Sequence, residues 1–231
     1  MKKETLNKIE ELRNYFNYLS ALDFETQKVI QSKLDEIIIC EMNEQKIGKF
    51  NLYDFCAKDN LRPAMVGVYH KDGYKYATDS YILCKLKQDY KPELEDNIVL
   101  KDGSILPKHE YTRVLNYNAV IPYSLDGYES IKIDFAQLQQ WNKEAKLHKK
   151  TYGKNSVQLV DVYRDHNFKI EYLTKVATAM KELGTNELYV HSTDRVRAAV
   201  VKTEQATILI MPCAFSKRDY NGKYEIKWFT I

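Results

Sequence analysis

The stretch LRPAMVGVYHKDGYKYATDSYIL, residues 61–83, has the pattern of successive β-strands. Its two halves are rich in valine, tyrosine, isoleucine and leucine, and they flank the pair Asp72-Gly73. An Asp-Gly pair readily adopts the positive φ angles that a tight hairpin turn requires. The stretch therefore predicts consecutive strands that turn at this pair and continue to Lys87.

On the carboxy-terminal side, the sequence predicts a strand near residues 111–121 and a helix from about Phe135 to Lys149. Asp134 is a suitable N-cap for this helix, and its apolar face consists of Leu138, Trp141 and Ala145. The segment SVQLVDVY predicts the next strand, and a second helix over EYLTKVATAMKEL ends at Gly184. The segments ELYVHS, RVRAAVVK, ATILIMPC and YEIKWFTI predict the remaining strands.

On the amino-terminal side, residues 5–44 have apolar residues at helical spacing and predict two amphipathic helices. These helices form either a helical hairpin packed on the body of the protein or a partner-binding helix. A short helix is predicted over residues 52–60, and a polar loop with one edge hairpin over residues 88–103. The order of helices followed by strands occurs twice along the chain.

Composition and charge limit the classes of function. The chain has 231 residues, of which 44% are hydrophobic and 12% aromatic, so it can build the core of one large domain or two small ones. Its 35 basic and 32 acidic residues give a net charge of +3. This balance excludes a protein that coats nucleic acid through its overall charge, so any contact with DNA must be local.

The cysteines and the first residues bear on metal binding and location. Cys40, Cys56, Cys84 and Cys213 are far apart and have no histidine at metal-ligand spacing, which predicts four reduced thiols and no metal site. The opening residues, MKKETLNKIEELRNYF, contain no apolar signal region, and no stretch reaches the roughly 18 apolar residues of a membrane span. We expect a cytoplasmic protein that does not bind membranes.

Sequence motifs for catalysis are not found. The chain has no P-loop, no G-x-G-x-x-G, no H-E-x-x-H and no G-x-S-x-G pattern, and its five histidines stand apart from any nucleophile or carboxylate motif. We therefore predict that the protein is not an enzyme and needs no cofactor. A hydrolase with an unrecognised site is the remaining enzymatic alternative.

One face of the helix predicted from Phe135 to Lys149 is basic. Lys143, Lys146 and Lys150 lie on one side at spacings of three and four, and Lys149 and Lys154 extend this stripe. Such a stripe can contact phosphates without reading bases. It is also what an ordinary exposed helix face looks like, so both interpretations stand at this point.

Three segments, in this order, resemble the middle and C-terminal domains of the bacterial sliding clamps, the beta subunits of DNA polymerase III. The first is residues 61–83, where Ser80, Tyr81 and Ile82 replace Gly-His-Arg in the family's A-T-D-G-H-R-L. The second is VLNYNAVIP, residues 114–122, with Leu115 in place of a proline in the family's F-P-D-Y-x-x-V-[LI]-P. The third, FKIEYLTKVATAM followed by ELYVHSTDRVRAAVVKTEQATILIMPC, is similar to the family's F-N-x-x-Y-L-x-x-x-L helix and its closing strand.

This resemblance implies a DNA-clamp-like α+β fold, with helices packed on antiparallel sheets and an N-terminal helical extension. The implied organisation is a helical extension at 1–48, a reduced clamp-like domain at 49–125 and a clamp-like C-terminal domain at 126–231. The second half of the middle domain is missing or much reduced between residues 83 and 114. The segment 214–231 continues past the family's usual end, and it either blocks the peptide pocket or extends a sheet.

The resemblance also implies two sites. Clamp helices face the duplex, so the DNA-binding residues implied here are Lys143, Lys146, Lys149, Lys150, Lys175 and Lys181. Clamps bind short peptides of polymerases and clamp loaders in an apolar pocket, as such a concave site can. By motif position, that pocket is formed by Thr78, Ser80, Ile82, Leu83, Leu115, Val120, Leu209, Met211 and Pro212.

The function that follows is a DNA replication accessory, or processivity factor, which binds duplex DNA non-specifically and tethers a polymerase or another DNA-processing protein. A phage or mobile element is a plausible setting for so shortened a clamp. The alternative is a protein-interaction module with a clamp fold that does not encircle DNA. A trimer of two-domain chains would complete a six-domain ring, whereas a monomer or dimer would leave the ring open.

Overall fold

The computed structural model describes residues 26, 29, 32–33, 46–47, 50–59, 61–88, 91–111, 115–153, 156–213 and 225–231. Within the predicted helical extension, the described residues Thr26, Val29, Ser32 and Lys33 are helical. Lys46 and Ile47, near the end of the extension, form a short strand. The remainder of the extension, including Cys40 and most of the two predicted helices, lies outside the described residues.

From Lys46 onward, the described residues form thirteen strands and two α-helices. The strands are β1 (Lys46–Ile47), β2 (Phe50–Asn51), β3 (Val68–Lys71), β4 (Tyr74–Thr78), β5 (Ile82–Lys87), β6 (Ile98–Val99), β7 (Tyr128–Lys132), β8 (Ser156–Tyr163), β9 (His166–Lys169), β10 (Glu187–His191), β11 (Ala199–Lys202), β12 (Ala206–Ile210) and β13 (Glu225–Thr230). The helices are α1 (Phe135–Tyr152) and α2 (Ile170–Glu182). Short 3-10 helices occur at Leu52–Phe55, Pro63–Met65, Pro92–Leu94, Lys108–Glu110 and Tyr117–Ala119.

The main sheet has eight antiparallel strands in the order β6-β3-β4-β5-β12-β11-β10-β7. Four of its strands precede residue 126 and four follow it. The two groups meet where β5 pairs with β12 through five residue pairs, from Ala206 with Leu86 to Ile210 with Ile82. The backbone hydrogen bonds of this ladder make one continuous sheet of the two groups.

Two smaller sheets complete the architecture. Strands β1 and β2 form a two-stranded pair, and β13-β8-β9 form a three-stranded sheet in which β13 lies parallel to β8 over six residue pairs. The described part of the segment 214–231 therefore extends a sheet. This is one of the two outcomes that the sequence left open for the tail.

The hairpin predicted at Asp72-Gly73 is confirmed. β3 and β4 are joined by Asp72 and Gly73, whose φ angles of 50° and 73° are both positive, as a two-residue hairpin turn requires. Strands β4 and β5 follow within the predicted stretch. The strands predicted from SVQLVDVY, ELYVHS, RVRAAVVK, ATILIMPC and YEIKWFTI are present as β8 and β10 to β13.

Both helices predicted on the carboxy-terminal side are confirmed. The Asp134 carboxylate accepts hydrogen bonds from the backbone N–H groups of Ala136 at 2.8 Å and Gln137 at 3.1 Å, so it caps α1 as expected. Helix α1 ends at Tyr152, one turn beyond the predicted Lys149. Helix α2 ends before Gly184, whose φ angle of 72° is compatible with glycine.

The main sheet is apolar on both faces. Because side chains alternate along a strand, Ile208 and Ile210 of β12 belong to the core that contains the helices, whereas Leu209 between them belongs to a second cluster on the opposite face. The second cluster is rich in tyrosine and is covered by loops. It contains Tyr69, Tyr76, Leu83, Tyr117, Val200 and Leu209 among its buried members.

The strand predicted near residues 111–121 is wrong. Of this segment, residues 112–114 lie outside the described part, and the described residues contain the 3-10 helix Tyr117–Ala119 and no strand. Tyr117 is buried, and its ring stacks on those of Tyr76 at 4.9 Å and Tyr69 at 5.6 Å between centroids. This packing fixes the segment as a loop across the sheet.

Two other predictions need smaller corrections. The short helix predicted over residues 52–60 is a single 3-10 turn, Leu52–Phe55. Within residues 88–103, the predicted edge hairpin corresponds to β6, which pairs with β3 and is bridged by Ile105 on its other side. No helix in the described part of the chain combines the length and apolarity needed to cross a lipid bilayer.

The N-cap of α1 provides a test of this fold. We expect Asp134→Ala to lower the free energy of unfolding by about 0.5–2 kcal/mol, because two backbone N–H groups lose their acceptor. Asp134→Asn keeps an acceptor oxygen and should retain most of the stability. Urea denaturation followed by circular dichroism measures both variants, and equal losses for the two would contradict the capping role.

Candidate functional site

A cavity of about 220 Å³ opens over the β5–β12 junction, on the face of the sheet opposite to the helices. Leu83 and Leu209, which are register partners across the junction, form its floor. Ile82 also lines the cavity, although its side chain belongs to the core on the helix side of the sheet. All three side chains are buried. The cavity therefore exists only where the two groups of strands are joined.

The rim of this cavity is apolar and exposed. Tyr81 is 50% exposed, Val120 59% and Met211 42%, and Leu115 is also exposed. None of the twelve lining residues carries a charge. Single exposed apolar side chains are common on proteins, but four around one apolar cavity indicate a surface that another molecule covers.

A tight turn between β4 and β5 shapes one wall. The Asp79 carboxylate accepts hydrogen bonds from the backbone N–H groups of Tyr81 and Ile82, each at 3.0 Å. Ser80 has a φ angle of 79°, an uncommon conformation for a residue with a side chain. The Met211 N–H donates to the Tyr81 carbonyl at 2.7 Å, so this turn is also held to the end of β12.

The opposite wall is formed by the loop at residues 115–121, which was predicted as a strand. Leu115, Asn116, Tyr117 and Val120 line the cavity from this side. The stacked ring of Tyr117 anchors the loop, and burial raises the pKa of its hydroxyl, which therefore stays protonated. A buried aromatic residue thus holds the exposed Leu115 and Val120 in place.

Eight of the nine residues that the resemblance assigned to a peptide pocket line this one cavity: Thr78, Ser80, Ile82, Leu83, Leu115, Val120, Leu209 and Met211. Pro212 does not line it. The next residue, Cys213, donates its N–H to the Asn167 carbonyl at 2.6 Å, which directs the chain toward β9. Met65, Tyr81, Asn116 and Tyr117 line the cavity without having been assigned, although all four fall inside the segments that carried the resemblance.

The lysines assigned to DNA lie on the two α-helices, which contact each other. Lys143, Lys146 and Lys150 are exposed on one face of α1, as their spacing predicts. Lys149 and Lys181 are exposed as well, while Lys154 lies outside the described residues. The α1 face is therefore open to a polyanion.

Two of these lysines have partners within the chain. Lys149 Nζ lies 3.9 Å from the Glu171 carboxylate, an exposed contact of small energetic value. Lys175 is half-buried, donates to the Asp54 carbonyl at 2.8 Å and lies 4.0 Å from the Asp79 carboxylate. Lys175 thus supports the 3-10 turn Leu52–Phe55 and the wall of the cavity, and it is less available than the α1 lysines.

The described residues contain no group of three histidine, cysteine, aspartate or glutamate side chains placed to hold a metal ion. Cys56 and Cys84 are buried, and burial raises the pKa of both thiols, which keeps them protonated and unreactive. The chemistry that the geometry supports best is non-covalent: an apolar cavity for a few anchor side chains and a basic helix face for phosphates.

Solved structures of DNA polymerase III beta chains are similar to this fold. The beta chain from Streptococcus pneumoniae matches with a TM-score of 0.51 and 14% identity, over 78% of this chain and 63% of that one. The subunit from Borrelia burgdorferi, solved with a natural product, matches with a TM-score of 0.51 and 12% identity, over 76% and 63%. The sliding clamp from Bartonella birtlesii, bound to griselimycin, matches with a TM-score of 0.50 and 11% identity, over 71% and 62%.

These comparisons confirm the predicted fold class: the chain has an α+β, clamp-like fold. The chain spans less than two thirds of the length of the clamp chains it matches. Neither a protein-family model nor a curated protein matches the sequence.

The floor and the rim of the cavity should respond differently to truncation. Leu209→Ala should cost about 2–5 kcal/mol of unfolding free energy, because it empties a buried site. Val120→Ala removes an exposed side chain and should stay within about 0.5 kcal/mol of the parent. Guanidinium denaturation measures both, and a large loss at Val120 would show that this residue is structural and does not form an open rim.

Proposed function

We propose that this chain, which has the fold of the bacterial sliding clamps, is a non-enzymatic DNA accessory factor that binds duplex DNA non-specifically and tethers a DNA-processing protein. The observation that carries the proposal is the convergence of eight motif-assigned residues on one apolar cavity. These residues come from three separate segments of the chain. Ordinary core packing does not require them to surround an open space with an exposed rim.

The cavity suits a short peptide of the partner. Its volume of about 220 Å³ is below the roughly 300–1,000 Å³ of sites that enclose a whole small ligand. It can take one or two large apolar side chains while the rest of the segment lies over the rim. Tyr81, Val120 and Met211 then lose their exposure to water on binding, which supplies the hydrophobic driving force.

Contact with DNA rests on the exposed lysines of α1, with Lys181 on α2 as a further contributor. Ammonium groups at spacings of three and four contact phosphates without reading sequence. The net charge of +3 keeps this attraction local to the helix face. Encircling a duplex would require further copies or partners, because this chain covers less than two thirds of a clamp chain.

We also propose the domain boundary between residues 125 and 126. The four strands β3 to β6 belong to the first proposed unit, 49–125, and strands β7 to β13 with both helices belong to the second, 126–231. The long β5–β12 ladder joins the two units. In this arrangement the apolar cavity lies where the two units meet, and the basic face of α1 belongs to the second unit alone.

One observation favours a second candidate function, a protein-interaction module that does not hold DNA. Lys149 faces Glu171, and Lys175 is engaged by Asp54 and Asp79, so two of the six assigned lysines are partly neutralised within the chain. Such a module would keep the cavity and lose the DNA-dependent step. The two experiments below separate the candidates.

The first experiment tests the cavity. A fluorescein-labelled peptide with a Leu-Leu-Phe core and glycine flanks should bind, and Met211→Glu should weaken binding at least tenfold, because it places a charge on the apolar rim. Tyr123→Glu is the matched control, since Tyr123 is fully exposed and lies outside the cavity. Fluorescence anisotropy measures both, and equal binding by the two variants would argue against a peptide site here.

The second experiment tests the lysines. Replacing Lys143, Lys146 and Lys150 together by alanine should weaken binding to a fluorescent 30-base-pair duplex and flatten the dependence of log K on log salt by about 0.9 for each lost phosphate contact. The control carries alanine at Lys101, Lys108 and Lys132, three exposed lysines outside α1. No DNA binding by the parent chain, with peptide binding intact, would select the interaction module.

A further inference from the structure

Lys175 of α2 connects this helix to one wall of the apolar cavity. Its Nζ donates a hydrogen bond to the Asp54 carbonyl at 2.8 Å and lies 4.0 Å from the Asp79 carboxylate. Both partners are about 100 residues or more away in the chain, so only the fold brings them to the helix. One ammonium group therefore joins the 3-10 turn Leu52–Phe55 to the turn between β4 and β5.

Asp79 and Lys175 form a partly buried ion pair. The Asp79 side chain is 14% exposed and the Lys175 side chain 27%. Removing one partner of such a pair leaves the other charge poorly hydrated and uncompensated, which costs more than the loss of an exposed pair. The same Asp79 carboxylate accepts the backbone N–H groups of Tyr81 and Ile82. Lys175 thus stabilises the acceptor on which the shape of the turn depends.

A second set of contacts leads from Lys175 to the same wall through aromatic rings. Lys175 Nζ lies 5.6 Å from the centroid of the Tyr172 ring, within the range of a cation–π contact. That ring stacks on Tyr81 with centroids 5.3 Å apart, and Tyr81 is half exposed at the rim of the cavity. Lys169 Nζ also lies near both rings, so the contact with Asp79 is the more specific of the two routes.

We propose that Lys175 is a positioning residue of the apolar cavity, where it holds the turn at Asp79 in the conformation that presents Ser80 and Tyr81 to a bound peptide. Lys175 does not line this cavity, so it acts through Asp79 and makes no contact with the peptide. The resemblance assigned this lysine to DNA. A phosphate could recruit it only by breaking its contacts with Asp54 and Asp79. The inference rests on the proposed peptide-binding function of the cavity.

Lys175→Met tests this role, because methionine keeps an unbranched apolar stem and removes the ammonium group. We expect the variant to bind the fluorescein-labelled Leu-Leu-Phe peptide about threefold to tenfold more weakly than the parent chain. Lys175→Arg keeps a cation that can pair with the Asp79 carboxylate, so it should bind more tightly than Lys175→Met. Fluorescence anisotropy, at a temperature well below the unfolding transition of each variant, measures both affinities.

Two controls separate positioning from general effects. Lys202→Met makes the same replacement at an exposed lysine that pairs with Thr207 and does not line the cavity, and it should bind as the parent does. Asp134→Ala lowers stability at the N-cap of α1, which also lies outside the cavity, and it should keep the parent's affinity. If Asp134→Ala weakens binding as much as Lys175→Met does, lower stability explains the loss and the positioning role is wrong.

Asp79→Asn tests the route by which Lys175 acts. Asparagine keeps an acceptor oxygen for the N–H groups of Tyr81 and Ile82, and it removes the charge that faces Lys175. If the ion pair carries the effect, adding Lys175→Met to Asp79→Asn should cause little further loss of affinity. Losses that simply add in the double variant would show that Lys175 does not act through Asp79.

The failure of this inference differs from the failure of the proposed function. Parent-like binding by Lys175→Met, or equal binding by the methionine and arginine variants, overturns the positioning role while the peptide site stands. A loss that arginine reduces, and that disappears in the Asp79→Asn background, supports it. If the parent chain itself does not bind the peptide, the proposed function of the cavity fails as well.

Discussion

The antiparallel pairing of β5 with β12 is the interaction on which the rest of the structure depends. These strands are far apart in sequence, yet their five residue pairs join two groups of four strands into one sheet. The ladder also fixes register, and register decides which side chains face each side of the sheet. A slip of β12 by one residue would turn Leu209 toward the helix side of the sheet and place Ile208 at the cavity floor.

The cavity over this junction combines a rigid floor with walls of a different kind. Leu83 and Leu209 are buried in regular strands, whereas the walls are a turn held by Asp79 and a loop anchored by the stacked ring of Tyr117. Regular strands alone would give a flat apolar face. The irregular segments on both sides convert that face into a concave site.

Most strands and both helices could be predicted from local sequence patterns, because the side chains that define them act on residues close by in the chain. Asp72-Gly73 makes its own turn, Asp134 caps the helix that begins next to it, and the apolar spacing of α2 matches its buried face. The same reasoning failed for the segment around Tyr117, which was predicted as a strand and contains a 3-10 helix. Its conformation depends on the rings of Tyr69 and Tyr76, which lie 48 and 41 residues earlier in the chain, and no local pattern encodes that contact.

The sequence by itself determined which segments have the hydrophobic spacing of helices and which have that of strands. Its ordered motifs indicated the clamp-like fold and eight residues of the cavity. Hydrophobic spacing, capping and turn chemistry act within a few residues, so they can be read from the chain. Only the tertiary structure decided that the loop around Tyr117 forms a wall of the apolar cavity, that Lys175 contacts Asp54 and Asp79, and that the tail pairs in parallel with β8. These features join residues distant in sequence, and their geometry is set by packing that no single segment contains.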